Sequence, residues 1–202
     1  MTSVTIDPSA HVHERAKFGN GCRVWHLAQV REDAELGDGC SIGRGAYVGP
    51  EVLLGRNVKL QNYALVYGPA VLEDGVFVGP AVVLTNDKNP RAVDPDGSLK
   101  SGDDWEPAAV HVGEGSSLGA RTVVVAPCRI GRWALVGAGA VVVGDVPDFA
   151  LMVGSPARRV GWVGRAGVRL LPVEGPETGH WRCPETGETY TEVAGVLEED
   201  PA

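Results

Sequence analysis

Every sixth residue from Ile6 to Leu84 is apolar, and this spacing restricts the possible folds more tightly than anything else in the chain. The series runs through Val12, Phe18, Val24, Val30, Leu36, Ile42, Val48, Leu54, Leu60, Val66, Leu72 and Val78, and it resumes at Val112, Leu118, Val124, Ile130, Val136 and Val142. Four places after most of these stands a small residue, such as Ala10, Cys22, Ala28, Cys40, Ala64, Ser116 or Cys128. A half-buried sheet repeats every two residues and does not hold a period of six for so long. One hexapeptide cannot bury its own apolar residue, so copies must stack on a shared interior. The spacing predicts an all-β solenoid in which three hexapeptides make one triangular coil of 18 residues. Val and Ile suit its short flat faces. Glycine often follows the aliphatic residue, as at Gly37, Gly79 and Gly119, which suggests corners with unusual backbone angles.

Composition sets limits. The chain has 202 residues, 44% of them hydrophobic, and a net charge of -8 without a run of Lys or Arg, which argues against a nucleic-acid surface. No stretch is long enough to cross a bilayer, and no charged leader precedes an apolar run, so a cytoplasmic location without a membrane partner is expected. Cys22, Cys40 and Cys128 occupy the small interior position and read as buried hydrophobes. Cys183 has no CxxC partner to suggest zinc.

The expected organisation is a solenoid over 1–146 and a C-terminal extension over 147–202 that is not an independent domain. From about 85 to 107 the rhythm stops in the polar segment TNDKNPRAVDPDGSLKSGDDWEP, a loop excursion that a regular body would keep for function. In the extension, 180–193 reads as a hairpin across the PETG turn, and its expected work is to cap the last rung.

Residues 18 apart should lie one rung apart, roughly 4.8 Å. His26, Arg44 and Asn62 then form one outward column, and Glu32, Pro50, Gly68 and Asn86 another. Arg31, Gly49, Tyr67 and Thr85 run beside the second. Polar groups thus gather below the loop base at Asn86 and Asp87.

The stretches VWHLAQVREDAELGDGC, NVKLQNYALVYGPAVLEDGVFVGPAVVLTNDKNPRA and AGAVVVGDVPDFALMVGSPARRVGW resemble the hexapeptide-repeat acyltransferases, and among them the N-acetyltransferases of nucleotide-linked 3-amino sugars, of UDP-2-acetamido-3-amino-2,3-dideoxyglucuronate or dTDP-3-amino-3,6-dideoxyhexose type. The resemblance implies a left-handed parallel β-helix, a homotrimer, acetyl-CoA as co-substrate with no metal, and a UDP- or dTDP-linked amino sugar as acceptor in polysaccharide biosynthesis. Such a reaction requires a neutral amine placed in line with the thioester, a proton acceptor and a stabilised oxyanion. Asn86 matches the TN motif and would hold the amine, with Asp87 as charge partner or proton acceptor. Both residue types also favour turns. His26 is the candidate general base, although a Trp-His pair at a corner also serves packing; His111 follows the loop directly, while His11, His13 and His180 lack neighbours suggestive of chemistry. Ala126, Gly137, Ala138 and Gly139 would line the pantetheine path, with Arg158 and Arg159 for the phosphates. Arg31, Glu32, Gln61 and Tyr67 would bind the sugar nucleotide.

Two other classes fit a solenoid. A zinc-dependent hydratase of the γ-carbonic anhydrase type needs three converging histidines, and those at 11, 13, 26 and 111 do not align at 18-residue offsets. A non-catalytic β-helical scaffold would leave the loop and the two arginines without purpose. Serine acetyltransferases share the chemistry but usually carry a helical N-terminal region.

Overall fold

The computed structural model describes residues 3–102, 104–173 and 179–201, so Asp103 of the excursion falls outside it. Short strands stack into three parallel ladders that close a triangular prism, and no helix occurs among the described residues. Sheet A runs from Thr5–Ile6 up to Ala150–Gly154, with Ala157–Trp162 added antiparallel; sheet B runs from His11–Val12 to Val141–Val142, and sheet C from Lys17–Phe18 to Cys128–Ile130. The register is as the period demands: Thr5 pairs with Arg23, His11 with Gln29 and Lys17 with Glu35. The fold is the expected left-handed parallel β-helix.

The second residue of each two-residue strand points inward. Val24, Ile42, Leu60, Val78, Leu118 and Val136 fill one edge of the interior from rung to rung, and all are buried. Each such side chain contributes roughly 1.5–3 kcal/mol. The exposed pairs Arg15–Asp33, Lys17–Glu35 and Arg56–Asp74 on the wall add little. The interior therefore holds the prism together, and the wall is free to vary.

Two details differ from the sequence reading. The glycines that follow the aliphatic residues do not supply left-handed backbone. That conformation falls two residues later, at Leu27 (φ 57°), Asp33 (58°) and Tyr63 (61°) among others. Gly79 and Gly119 are needed instead because a Cβ there would lie 2.7 Å from the Leu118 carbonyl oxygen or 2.5 Å from the Ala138 nitrogen of the next rung. The small interior residues also do more than fill space. Cys22, Cys40, Ser116 and Thr122 donate to the carbonyls of Gly37, Gly55, Gly131 and Gly137, each |i−j| = 15 away. Burial pushes the Cys40 thiol up to about 12 and that of Cys128 to about 11, so neither is a nucleophile near neutral pH. Ser116 Oγ sits 2.6 Å from its acceptor with no exposure at all. Ser116→Ala is expected to cost about 1 kcal/mol in denaturant unfolding, because the Gly131 carbonyl loses its hydroxyl partner.

Near the top, the rhythm fails because the coil shortens. Arg129 and Arg132 reach Asp145 and Asp148 at |i−j| = 16, and Leu151–Met152 still extends the parallel ladder from Leu135–Val136. The extension folds as an antiparallel sheet that includes the expected hairpin, His180–Arg182 against Thr189–Val193. It covers the end of the prism with buried Phe149, Trp162 and Tyr190, the Phe149 and Tyr190 rings meeting edge-on at 5.4 Å.

Candidate functional site

Sheet B is the face that the expected site residues share, although they lie along its two opposite edges. Corners between sheets A and B carry His26, Gln61 and Gly137–Gly139; corners between B and C carry Arg31, Glu32, Tyr67, Asn86, Asp87 and Ala126. The excursion leaves from the second edge, directly after the strand Val83–Leu84, and the chain re-enters at Val110–Val112 of sheet C.

On that second edge the stacking arithmetic holds. Asn86 lies one rung above Gly68, and its Nδ2 donates to the Gly68 carbonyl at 2.7 Å. With the nitrogen committed downward, Oδ1 is the end of the amide available to a ligand. Above it, the Ala126 N–H donates to Thr85 Oγ1 at 3.0 Å, and Ala126 itself is buried. Asp87 turns away into the arm, where its Oδ1 accepts the Asn89 N–H and it borders a hollow of about 380 Å3 with Arg91, Lys100 and Trp105. Below, the Arg31 guanidinium clasps both oxygens of Glu32, at 2.9 and 3.0 Å. A backbone hydrogen bond and this guanidinium hold Glu32 below the usual carboxylate range. Tyr67 packs on Tyr47 with ring centroids 5.2 Å apart.

The first edge is separate. His26 and Gln61 share a hollow of about 150 Å3 with Trp25 and Arg44, and His26 Nε2 lies 3.2 Å from Asp7. Asp7 is lowered chiefly by the Ser9 hydroxyl and N–H, with His26 a smaller contributor. Within one chain, His26 and Asn86 stand across sheet B and on different rungs, so the structure does not bring the expected base to the expected amine holder. Higher on the same edge, a Cβ at Gly139 would meet nothing within 4 Å, which leaves open backbone there, while Gly137 lies beneath Val153.

The two arginines divide in role. Arg159 lies over the Trp162 ring at 3.9 Å and pairs with Glu192 at 3.3 Å. The same carboxylate accepts from both Trp162 and Trp181 Nε1. This charge therefore ties the strand Ala157–Trp162 to the antiparallel sheet of the extension. Arg158 donates to the neighbouring Ala157 carbonyl and forms no ion pair among the described residues. His111 lies on sheet C against Glu73, whose carboxyl it pulls below the usual range. Among the described residues no group of three His, Cys, Asp or Glu converges as a metal site.

Comparison with known proteins agrees with this architecture. Residues 15–50 match the family described as bacterial transferase hexapeptide (six repeats). Over 86 residues, 43% of this chain and 42% of the relative, the sequence is 38% identical to dTDP-3-amino-3,6-dideoxy-alpha-D-galactopyranose 3-N-acetyltransferase of Aneurinibacillus thermoaerophilus. It is 31% identical over 164 residues to the bifunctional protein GlmU of Synechococcus sp. (strain CC9605), covering 80% of this chain but 29% of that one. The chain thus spans less than half the length of these relatives. In structure it is similar to AntD, an N-acyltransferase from Bacillus cereus solved with dTDP and coenzyme A, with a TM-score of 0.56 at 17% identity over 80% of this chain and 81% of that one. That likeness is one of fold. The period of six, the three parallel ladders and the match at 15–50 make this chain a hexapeptide-repeat left-handed β-helix, similar in sequence over 86 residues to an N-acetyltransferase of a dTDP-linked 3-amino sugar.

Proposed function

We propose that the protein transfers the acetyl group of acetyl-CoA to the amine of a nucleotide-linked sugar, as a cytoplasmic homotrimer. The observation that carries this reading is the 38% identity to an enzyme named for that reaction. The site geometry supports it. Asn86 presents a fixed carbonyl oxygen that accepts a hydrogen bond from the attacking amine, while the Asp87 carboxylate is turned into the arm by the Asn89 N–H. The thioester is already activated, so placement and proton removal are most of what the protein must add. The open backbone at Gly139 suits an amide-bearing arm such as pantetheine, and Arg158, which forms no ion pair among the described residues, is a cation for its phosphates.

A trimer is supported by the outer surface of sheet B, where Leu65, Val83, Val123 and Val141 stand one above another. A second chain laid against this apolar stripe would bring an opposite edge to Asn86. The four buried, free cysteines fit a reducing compartment. A zinc hydratase is disfavoured by placement, with His26 across sheet B from His13, and His111 on sheet C.

The test is a panel of UDP- and dTDP-linked amino sugars, and the same sugars without nucleotide, assayed for thiol release from acetyl-CoA. Release is expected only with a nucleotide-linked amine, and the preferred member identifies base and sugar. No release with any member, or equal release with free sugars, would overturn the proposal. Light scattering at three chain masses checks the assembly.

A further inference from the structure

Thr85 and Asn86, the last residues before the arm turns outward, are tied down on several sides. The Thr85 N–H donates to the Val124 carbonyl of the rung above at 3.0 Å, and the Asn86 carbonyl accepts the Ala108 N–H at 2.8 Å where the arm returns. Below, the Asn86 amide reaches the Gly68 carbonyl. Ala126 is buried, so its N–H needs a partner inside the protein, and it finds the Thr85 hydroxyl oxygen at 3.0 Å. These bonds fix both side chains before any ligand arrives.

What the bonds leave over is one donor and one acceptor. A hydroxyl offers two lone pairs and one hydrogen. The Ala126 N–H takes a lone pair of Thr85 Oγ1, and no group among the described residues accepts its hydrogen, although Thr85 is only half-buried. Asn86 spends Nδ2 on Gly68 and keeps Oδ1. Side chains at these two positions reach a common space, as their counterparts three rungs lower show, where Arg31 and Glu32 touch at 2.9 Å. The pair matches the tetrahedral intermediate of acetyl transfer, whose single central carbon carries a negative oxygen and a positive nitrogen. A fixed O–H stabilises the first, and an amide oxygen the second.

We infer that Thr85 is a catalytic residue whose O–H donates to the acetyl carbonyl oxygen as that oxygen becomes negative, beside Asn86 Oδ1 on the amine. The inference rests on the acetyl-transfer reading and adds to it the side chain that holds the oxyanion. Register puts Ala126 directly above Asn86, so a pantetheine arm laid along Ala126 brings its thioester to this edge. The amine nitrogen forms the new bond to the acetyl carbon, and the carbonyl π pair moves onto the oxygen that Thr85 holds. On collapse that pair re-forms the carbonyl and the C–S bond breaks. The sulfur leaves with the bonding electrons, and the proton given up by the ammonium makes it the thiol of coenzyme A.

Thr85→Val, Thr85→Ala and Thr85→Ser are compared with the wild type in single-turnover acetyl transfer to the preferred sugar nucleotide of the panel. Coenzyme A is titrated calorimetrically into each, and melting curves check folding. Valine keeps the shape and removes the hydroxyl; Thr85→Ala takes its place if that chain does not fold. The expected result is transfer roughly a hundredfold slower in Thr85→Val, with coenzyme A affinity unchanged and most of the rate restored in Thr85→Ser, which keeps both the lone pair and the hydrogen. A wild-type rate without the hydroxyl overturns the inference. So does a serine chain as slow as the valine one, or a slowing matched by an equal loss of coenzyme A affinity, which would make the hydroxyl a prop for Ala126 alone. Each of these leaves the reaction standing. Absence of transfer by the wild type to every nucleotide-linked amine overturns the reaction and this assignment together.

Discussion

An Asn86→Ala chain is expected to fold and to transfer acetyl groups roughly a hundredfold more slowly than the wild type. The side chain stands outside the buried repeat, and among the described residues its hydrogen bond is to the Gly68 carbonyl. Losing that bond costs roughly 1 kcal/mol, which lowers the melting temperature of a chain of this size by about 2–4 °C. The loss of rate has a different origin: the carbonyl oxygen that holds the amine for attack is gone. Single-turnover measurement of acetyl transfer, with the melting curve beside it, separates the two effects. A wild-type rate would remove Asn86 from the mechanism.

Gly68→Ala tests the same site from below. A Cβ at Gly68 would lie 1.8 Å from the Pro50 carbonyl oxygen, well inside contact distance, and backbone cannot swing aside as the tip of a side chain can. The rung must shift, at a cost of roughly 3 kcal/mol, or about 6–12 °C in melting temperature. Because the Gly68 carbonyl anchors Asn86, the shift should also slow turnover while Asn86 itself is intact. Gly144→Ala is the control, since a Cβ there meets nothing within 4 Å. If Gly68→Ala melts with the wild type, the two rungs are not as closely stacked as described.

Most of the fold was legible from one periodicity. A repeat of six in aliphatic residues encodes which side chains face inward, and adding 18 locates neighbours, so the contact between Asn86 and Gly68 could be read before any coordinate. Other features carry no such signal. The shortened coil beneath Leu151 and Met152 removes the very spacing by which it would be recognised. Arg159 looked like an anion ligand in SPARRV because its partners, Trp162 and Glu192, come together only when the extension folds back. The corner glycines were assigned a need for unusual angles, yet their constraint comes from the backbone of the adjacent rung, which a local reading does not contain. His26 was chosen by residue type alone, and its distance from Asn86 depends on which edge of sheet B each occupies.

The arm interrupts the prism without disturbing it. Residues eighteen apart pair below it, Leu65 with Val83 for example, and across it Val83 pairs with Val123 and Val71 with His111 in the same alignment. Neither ladder records how many residues intervene. An insertion point of this kind behaves as a socket: segments of different length and sequence can be exchanged there while the hydrophobic interior keeps its composition. Selectivity for a new acceptor can therefore arise by swapping one contiguous stretch, and chimaeras that transplant arms between solenoids of this type should keep their host's thermal stability.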